Sequence, residues 1–203
     1  MLRPVAVPEV SPNRRAKRRE IIEVAKSVLL ANGLDRFTTR ALTESGSFSR
    51  SAIHYYFDSV EEIIDAAMAS QLDSFLQMLN IAAAEHEAPL DRFWAVTQRY
   101  LAHFADQPAL TLLWFDYSIA AVQAGRPHPA VEIESRLHEI FVGLLRDCGV
   151  PDWEARSEAL LAFMLGSTLR GVLHRGALAG DLRRQLAAVS GLEWRRGDAR
   201  GRR

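Results

Sequence analysis

The chain has a single cysteine, Cys148, among 203 residues. One thiol excludes a disulfide framework and any thiolate zinc cluster, and Cys148 reads as a packed thiol. Long apolar runs are missing as well. The longest uncharged apolar stretch, residues 159–169, has 11 residues, too few to cross a bilayer. Pro4, Pro8 and Pro12 break up the N-terminal region, so no secretory signal is read there. A cytoplasmic protein with no membrane partner is expected. Period-two runs of β-branched residues between turn signals are absent. So are a Gly-rich phosphate loop, a G-x-S-x-G elbow and an H-E-x-x-H pair. Glu134 and His138, at i and i+4, and the run Glu85-His86-Glu87 come nearest to a ligand set. Two such groups on one helix arise readily on a wet face, so no metal, cofactor or enzymatic chemistry is assigned.

Helix formers are abundant. Ala, Leu and Arg number 29, 25 and 23, and all three rank high in helix propensity. An all-α fold is expected. Net charge is zero, but it is unevenly spread. Residues 1–58 carry 10 basic and 6 acidic side chains, residues 59–190 carry 10 and 17, and residues 191–203 carry 5 and 2. A basic front on an acidic body suits an N-terminal segment that meets a polyanion.

Spacing along the chain divides it further. Residues 1–13 read as a flexible tail. Asn13 is a candidate cap for a helix from Arg14 to Asn32, with Ile21, Ala25, Val28 and Leu29 inward and Gly33 as its stop. Thr38 caps a short helix, Thr39 to Ser45. A tight turn at Gly46-Ser47-Phe48 follows, and Ser49 caps a second short helix reaching Tyr56. Three helices in residues 14–58, the last two joined by a tight turn, are helix-turn-helix organisation. Ser59-Val60-Glu61-Glu62 is a capping box opening a long helix to about Ala84, with Ile64, Met68, Leu72, Phe75 and Leu79 on its apolar face. That helix is long enough to serve two domains. Pro89, Pro108, Pro129 and Asp152 open further helices, and a short one runs from Asp181 to Val189. Residues 59–190 thus form a helical body, and residues 191–203 an Arg-rich tail expected to be disordered.

Leu42, Phe48, Ile53 and Phe57 fall where a helix-turn-helix needs apolar packing. Arg50, Ser51, Ala52, His54 and Tyr55 are left facing outward. Residues at the start of such a helix reach base edges in a major groove. Arg50 can pair bidentately with guanine, and Ala52 can meet a thymine methyl. Arg14, Lys17 and Arg18 of the first helix, Thr38 and Arg40 of the second, and Ser49 and Tyr56 complete the set of candidate DNA contacts.

This stretch resembles the DNA-binding domain of the TetR family of regulators. Thr38, Leu42, Ser49, Ile53, Tyr56, Phe57, Ser59, Glu61 and Ile63 take matching positions in the family pattern without a gap. Three positions depart: Ser47 stands where the family has its turn glycine, His54 where it has Tyr, and Val60 where it has Lys. In the family those Tyr and Lys residues touch phosphate, so their loss is expected to weaken sequence-independent affinity. The resemblance implies a homodimer on a palindromic, double-stranded operator and a small-molecule effector sensed by the C-terminal half.

No effector residue carries over by motif. The candidates rest on aromatic density: Phe75, Trp94, Tyr100, His103, Trp114, Tyr117 and Phe141. They fit an apolar cavity with a few polar anchors. The last long helix is apolar on two sides, more than a single buried stripe needs. Its Leu160, Phe163, Met164, Ser167 and Gly171, with Ile133, Leu137, Ile140 and Leu144 of the preceding helix, are the candidate dimer contacts. The sequence therefore points to a ligand-responsive transcriptional regulator, read as a repressor. The alternative is a helical ligand- or partner-binding dimer whose DNA reading has decayed.

Overall fold

Pro12 opens the first helix, where its fixed φ and missing N–H cost nothing. Asn13, the expected cap, therefore lies inside the first turn, and the ordered helix begins two residues earlier than the spacing predicts. The computed structural model describes residues 12–125, 129–174 and 182–193. The expected tail up to residue 11 and the Arg-rich end from residue 194 lie outside them. Among the described residues there are nine helices and no strand: α1 (Pro12–Asn32), α2 (Thr39–Ser45), α3 (Arg50–Tyr56), α4 (Val60–Ala84), α5 (Pro89–Asp106), α6 (Pro108–Gln123), α7 (Pro129–Asp147), α8 (Trp153–Leu173) and α9 (Leu182–Ser190). Two compact units result, divided between Gln71 and Leu72, inside α4.

In the first unit, α1 turns Ile21, Ala25, Val28 and Leu29 inward. Gly33 then adopts a φ of 74° and returns its N–H to the Leu29 carbonyl at 2.9 Å, a left-handed stop that favours glycine. Leu42 of α2, Phe48 of the turn, Ile53 of α3, Phe57 and Ile63 are buried. α1 packs on both α2 and α3. The short helices hold together through this shared core, since seven residues cannot sustain a helix in water alone. On α4 the buried position is Ile63, and the expected Ile64 is only half-buried. The capping box forms on one side only. Ser59 Oγ accepts from the Glu62 N–H at 3.1 Å, but the Glu62 carboxylate accepts from the Asp58 N–H at 2.8 Å instead of reaching the cap residue itself.

The second unit packs α7 on α8, α8 on α9 and α6, and α5 on α6, α7 and α8. Leu76, Leu79, Phe93, Val96, Tyr100, Phe141, Leu145, Leu160 and Met164 lie at its centre. Burying an aliphatic or aromatic side chain of this size contributes about 1.5–3 kcal/mol. Thr97 is buried among them, and its hydroxyl donates to the Phe93 carbonyl at 2.8 Å.

Candidate nucleic-acid interface

The α2–turn–α3 element is built from two side-chain caps. Thr38 Oγ1 accepts from the Ala41 N–H at 3.1 Å, and Ser49 Oγ accepts from the Ala52 N–H at 3.1 Å. Thr38 and Ser49, both candidate DNA contacts, thus spend their oxygens on helix starts. Ser51 Oγ lies 2.9 Å from Ser49 Oγ. Ile53 is 1% exposed and Phe57 2%, which fixes α3 from behind. Arg50, Ser51, His54 and Tyr55 are exposed, while Ala52 and Tyr56 are half-buried. Tyr55, at 66% exposure, stands edge-on to Tyr56 with ring centroids 5.0 Å apart.

The basic residues differ in how they are held. Arg14 lies with its guanidinium carbon 5.4 Å from the Tyr55 ring centroid. Lys17 Nζ sits 4.8 Å from the Phe48 ring centroid and 2.8 Å from Glu20. Arg18 pairs with Glu62 at 2.7 Å and lies over Phe57. Arg40 pairs with Glu44 at 2.8 Å along one exposed helix face, and that carboxylate holds the guanidinium proton more firmly. Arg50 is exposed and forms no ion pair among the described residues. A cleft of about 580 Å³ runs past Arg15, Arg18, Arg19 and Ile22 of α1.

In the second unit the aromatic candidates form packed clusters. Phe75 meets Tyr100 and His103 at centroid distances of 5.4 and 5.1 Å. Phe104, which is not among the seven candidates, joins them 5.3 Å from Phe75. Phe141 stacks edge-on to Phe93 at 6.4 Å, and Trp94 meets Phe93 at 5.1 Å. Trp114 and Tyr117 pair at 6.4 Å on α6. Of the seven, only Trp94 lines the cavity of about 500 Å³ between α5 and α9. Its other walls are Gln98, Leu101 and Ala102 of α5 and Leu182, Arg183 and Leu186 of α9. No local signal marks these residues, because the cavity exists only where two helices far apart in sequence meet.

Polar groups inside this unit are constrained by burial. Tyr100 is driven well above the ordinary phenol range and stays neutral. Burial, then the nearby Arg99 charge, lowers the His103 imidazole. His103 Nε2, Thr111 Oγ1, Ser118 Oγ and His138 Nε2 are buried without a hydrogen-bond partner among the described residues. Each such group costs about 1–3 kcal/mol until something satisfies it. Burial, then Asp147, raises the Cys148 thiol.

The candidate dimer contacts need correction on burial grounds. Ile133, Leu137, Leu144, Leu160, Met164 and Ser167 are buried within the single chain. α8 has two apolar sides, and Leu160, Met164 and Ser167 belong to the inward one. Ile140, Phe163 and Gly171 are half-buried. The outward side of α8 carries Ala162, Leu165, Gly166 and Leu173, all exposed. A β-carbon at Gly166 meets nothing within 4 Å, so this glycine serves no close approach among the described residues. On α6, Leu112, Ile119 and Val122 are exposed at i, i+7 and i+10.

Comparison with known proteins agrees with this architecture. Residues 21–67 match the family model described as bacterial regulatory proteins, tetR family. Over 120 residues the chain is 30% identical to an uncharacterized HTH-type transcriptional regulator, YfiR, of Bacillus subtilis, a match spanning 56% of each chain. It is 27% identical over 169 residues to the nucleoid occlusion factor SlmA of Cronobacter sakazakii, covering 80% of this chain and 83% of that one. Among solved structures, a TetR transcription regulator from Haloarcula marismortui superposes with a TM-score of 0.71 at 17% identity, covering 87% and 94% of the two chains. A TetR-family regulator from Streptomyces coelicolor gives 0.69 at 17% identity, covering 89% of each. The family match falls on the segment that carries the two capped short helices, and that segment is of the tetR-family DNA-binding type.

Proposed function

We propose that the protein is a ligand-responsive repressor that binds a palindromic operator as a homodimer and is released by a small apolar or aromatic effector. The outer face of α3 carries this reading: Arg50, Ser51, His54 and Tyr55 are exposed while Ile53 and Phe57 anchor the helix from behind. Arg50 reads guanine through its two parallel N–H donors, and a correct pair is worth about 1–3 kcal/mol of discrimination. Arg14 and Lys17 add attraction to the phosphate backbone, which is independent of sequence.

The exposed apolar side of α8, with that of α6, supports a second copy as partner, because exposed apolar stripes of this kind mark protein contacts. A two-fold pair presents two α3 helices to grooves about 34–36 Å apart on one DNA face. The cavity between α5 and α9 and the unpartnered buried polar atoms support effector binding in the second unit. α4 supports the coupling, since it contributes residues to both units. A coupling of about 1–3 kcal/mol changes affinity about 5- to 150-fold.

Selection of genomic fragments with the purified full-length chain tests the reading. An inverted repeat with its halves one helical turn apart is expected, along with binding that weakens steeply as salt rises. No retained fragment at low salt, or a monomeric protein in solution, overturns it. The likeness to nucleoid occlusion factors supports a second reading, action on the chromosome as a body and not at one promoter. The number and spread of the recovered sites separate the two.

A further inference from the structure

Glu62 commits both carboxylate oxygens to the region behind the recognition helix. Oε1 accepts from Arg18 Nη2 at 2.7 Å, and Oε2 accepts from the Asp58 N–H at 2.8 Å. The Arg18 guanidinium carbon also lies 4.3 Å from the Phe57 ring centroid. Phe57 follows α3 directly, is buried, and donates its N–H to the Ile53 carbonyl at 3.0 Å. Three elements therefore meet at one point: α1 through Arg18, the end of α3 through Phe57 and Asp58, and the first turn of α4 through Glu62.

Resting on the DNA-reading function proposed above, we infer that Arg18 and Glu62 are positioning residues, which orient α3 for base reading without touching DNA themselves. Turning Arg18 toward a phosphate uncovers Phe57 and leaves Glu62 as an unpaired negative charge in a DNA-binding unit. Lys17 is different. Its acidic partner, Glu20, is an exposed neighbour three residues along the same helix, and such pairs hold weakly. Arg18 instead combines a paired carboxylate 44 residues away with an aromatic face.

The test measures affinity for a duplex enriched from a random library by the wild-type full-length chain, at several salt concentrations. Arg18→Ala and Glu62→Gln are each expected to weaken binding about tenfold: the first loses pair and ring contact together, and the second loses the charge that holds the guanidinium over the ring. The slope of log affinity against log salt stays at the wild-type value in both, because no phosphate contact is lost. The double variant binds no worse than either single one, the mark of a coupled pair. Lys17→Ala serves as the contrast and flattens the slope by about one. Circular dichroism at the assay temperature verifies folding, and Arg18→Lys, which keeps the charge but not the planar stack, stands in should the alanine variant unfold. A flattened slope in either Arg18 variant makes Arg18 a phosphate contact and overturns the inference. Wild-type affinity in both single variants, or fully additive losses, does so as well. A wild-type chain that enriches no duplex fails the DNA reading itself, a result distinct from any of these.

Discussion

A β-carbon placed on Gly46 falls 2.5 Å from the ring of Phe48. The bare backbone at the end of α2 is what lets this ring fold back into the core of the first unit, where it is buried. Gly46 has an extended φ of −127°, so space and not backbone strain sets the requirement. Gly46→Ala is expected to destabilise the protein by about 1–3 kcal/mol through overpacking, while Ser47→Ala, at an exposed position, changes stability by less than about 0.5 kcal/mol. Urea titrations decide it, through a lowered midpoint at unchanged slope for the first variant only.

Arg50 and Arg40 make a controlled comparison on neighbouring helices. Arg50→Ala is expected to cost about 1–3 kcal/mol of operator binding and to relax base preference at one position in each half-site. Arg40, paired with Glu44 along its own helix, gives a variant whose base preference matches the wild type. Binding to a panel of singly substituted duplexes distinguishes them. An unchanged preference profile for Arg50→Ala removes Arg50 from base reading.

Acid should loosen the second unit through His103. Its ring lies 5.1 Å from Phe75 and 5.3 Å from Phe104, and burial lowers its proton affinity in the folded state. The unfolded state then binds more protons, so stability rises with pH. The contribution is complete above the unfolded value, about pH 6.5, and is lost as pH falls from there toward the lowered folded value. Melting temperatures measured across that range decline in the wild type, and His103→Phe flattens the decline. An equally steep decline in the variant assigns the effect elsewhere.

The two sides of α8 predict opposite phenotypes. Leu165 is 40% exposed, and Leu165→Glu is expected to leave helix content intact while converting the proposed dimer to single chains in sedimentation. Leu160 lies in the core, and Leu160→Ala is expected to lower stability by about 2–5 kcal/mol. A dimer that survives Leu165→Glu moves the interface off this face.

Local signals carry much of the fold into the sequence. Thr38 and Ser49 act on amides three residues away, and Gly33 acts on its own backbone, so α1, α2 and α3 are legible residue by residue. The inward stripe of α1 is equally plain, because one amphipathic side settles its orientation. α8 defeats the same method. Its two apolar sides leave open which one faces the core, and spacing alone offers Leu160 and Met164 as dimer contacts where both are buried within the chain. Aromatic density is ambiguous for a related reason: Phe75 packs against both Tyr100 and His103, and nothing in their spacing distinguishes a ring that packs from a ring that lines space. Arg18 and Glu62 lie too far apart in sequence for any periodicity to pair them.

Trp94 gives the protein an optical reporter of its own. The indole is 7% exposed and forms part of the cavity wall between α5 and α9, so an occupant there alters the polarity that the ring senses. Its emission colour shifts accordingly, and replacing Trp114, Trp153 and Trp194 by Phe isolates that signal from the other three indoles. Candidate effectors can thus be screened on the unlabelled chain by fluorescence alone, before any operator is known.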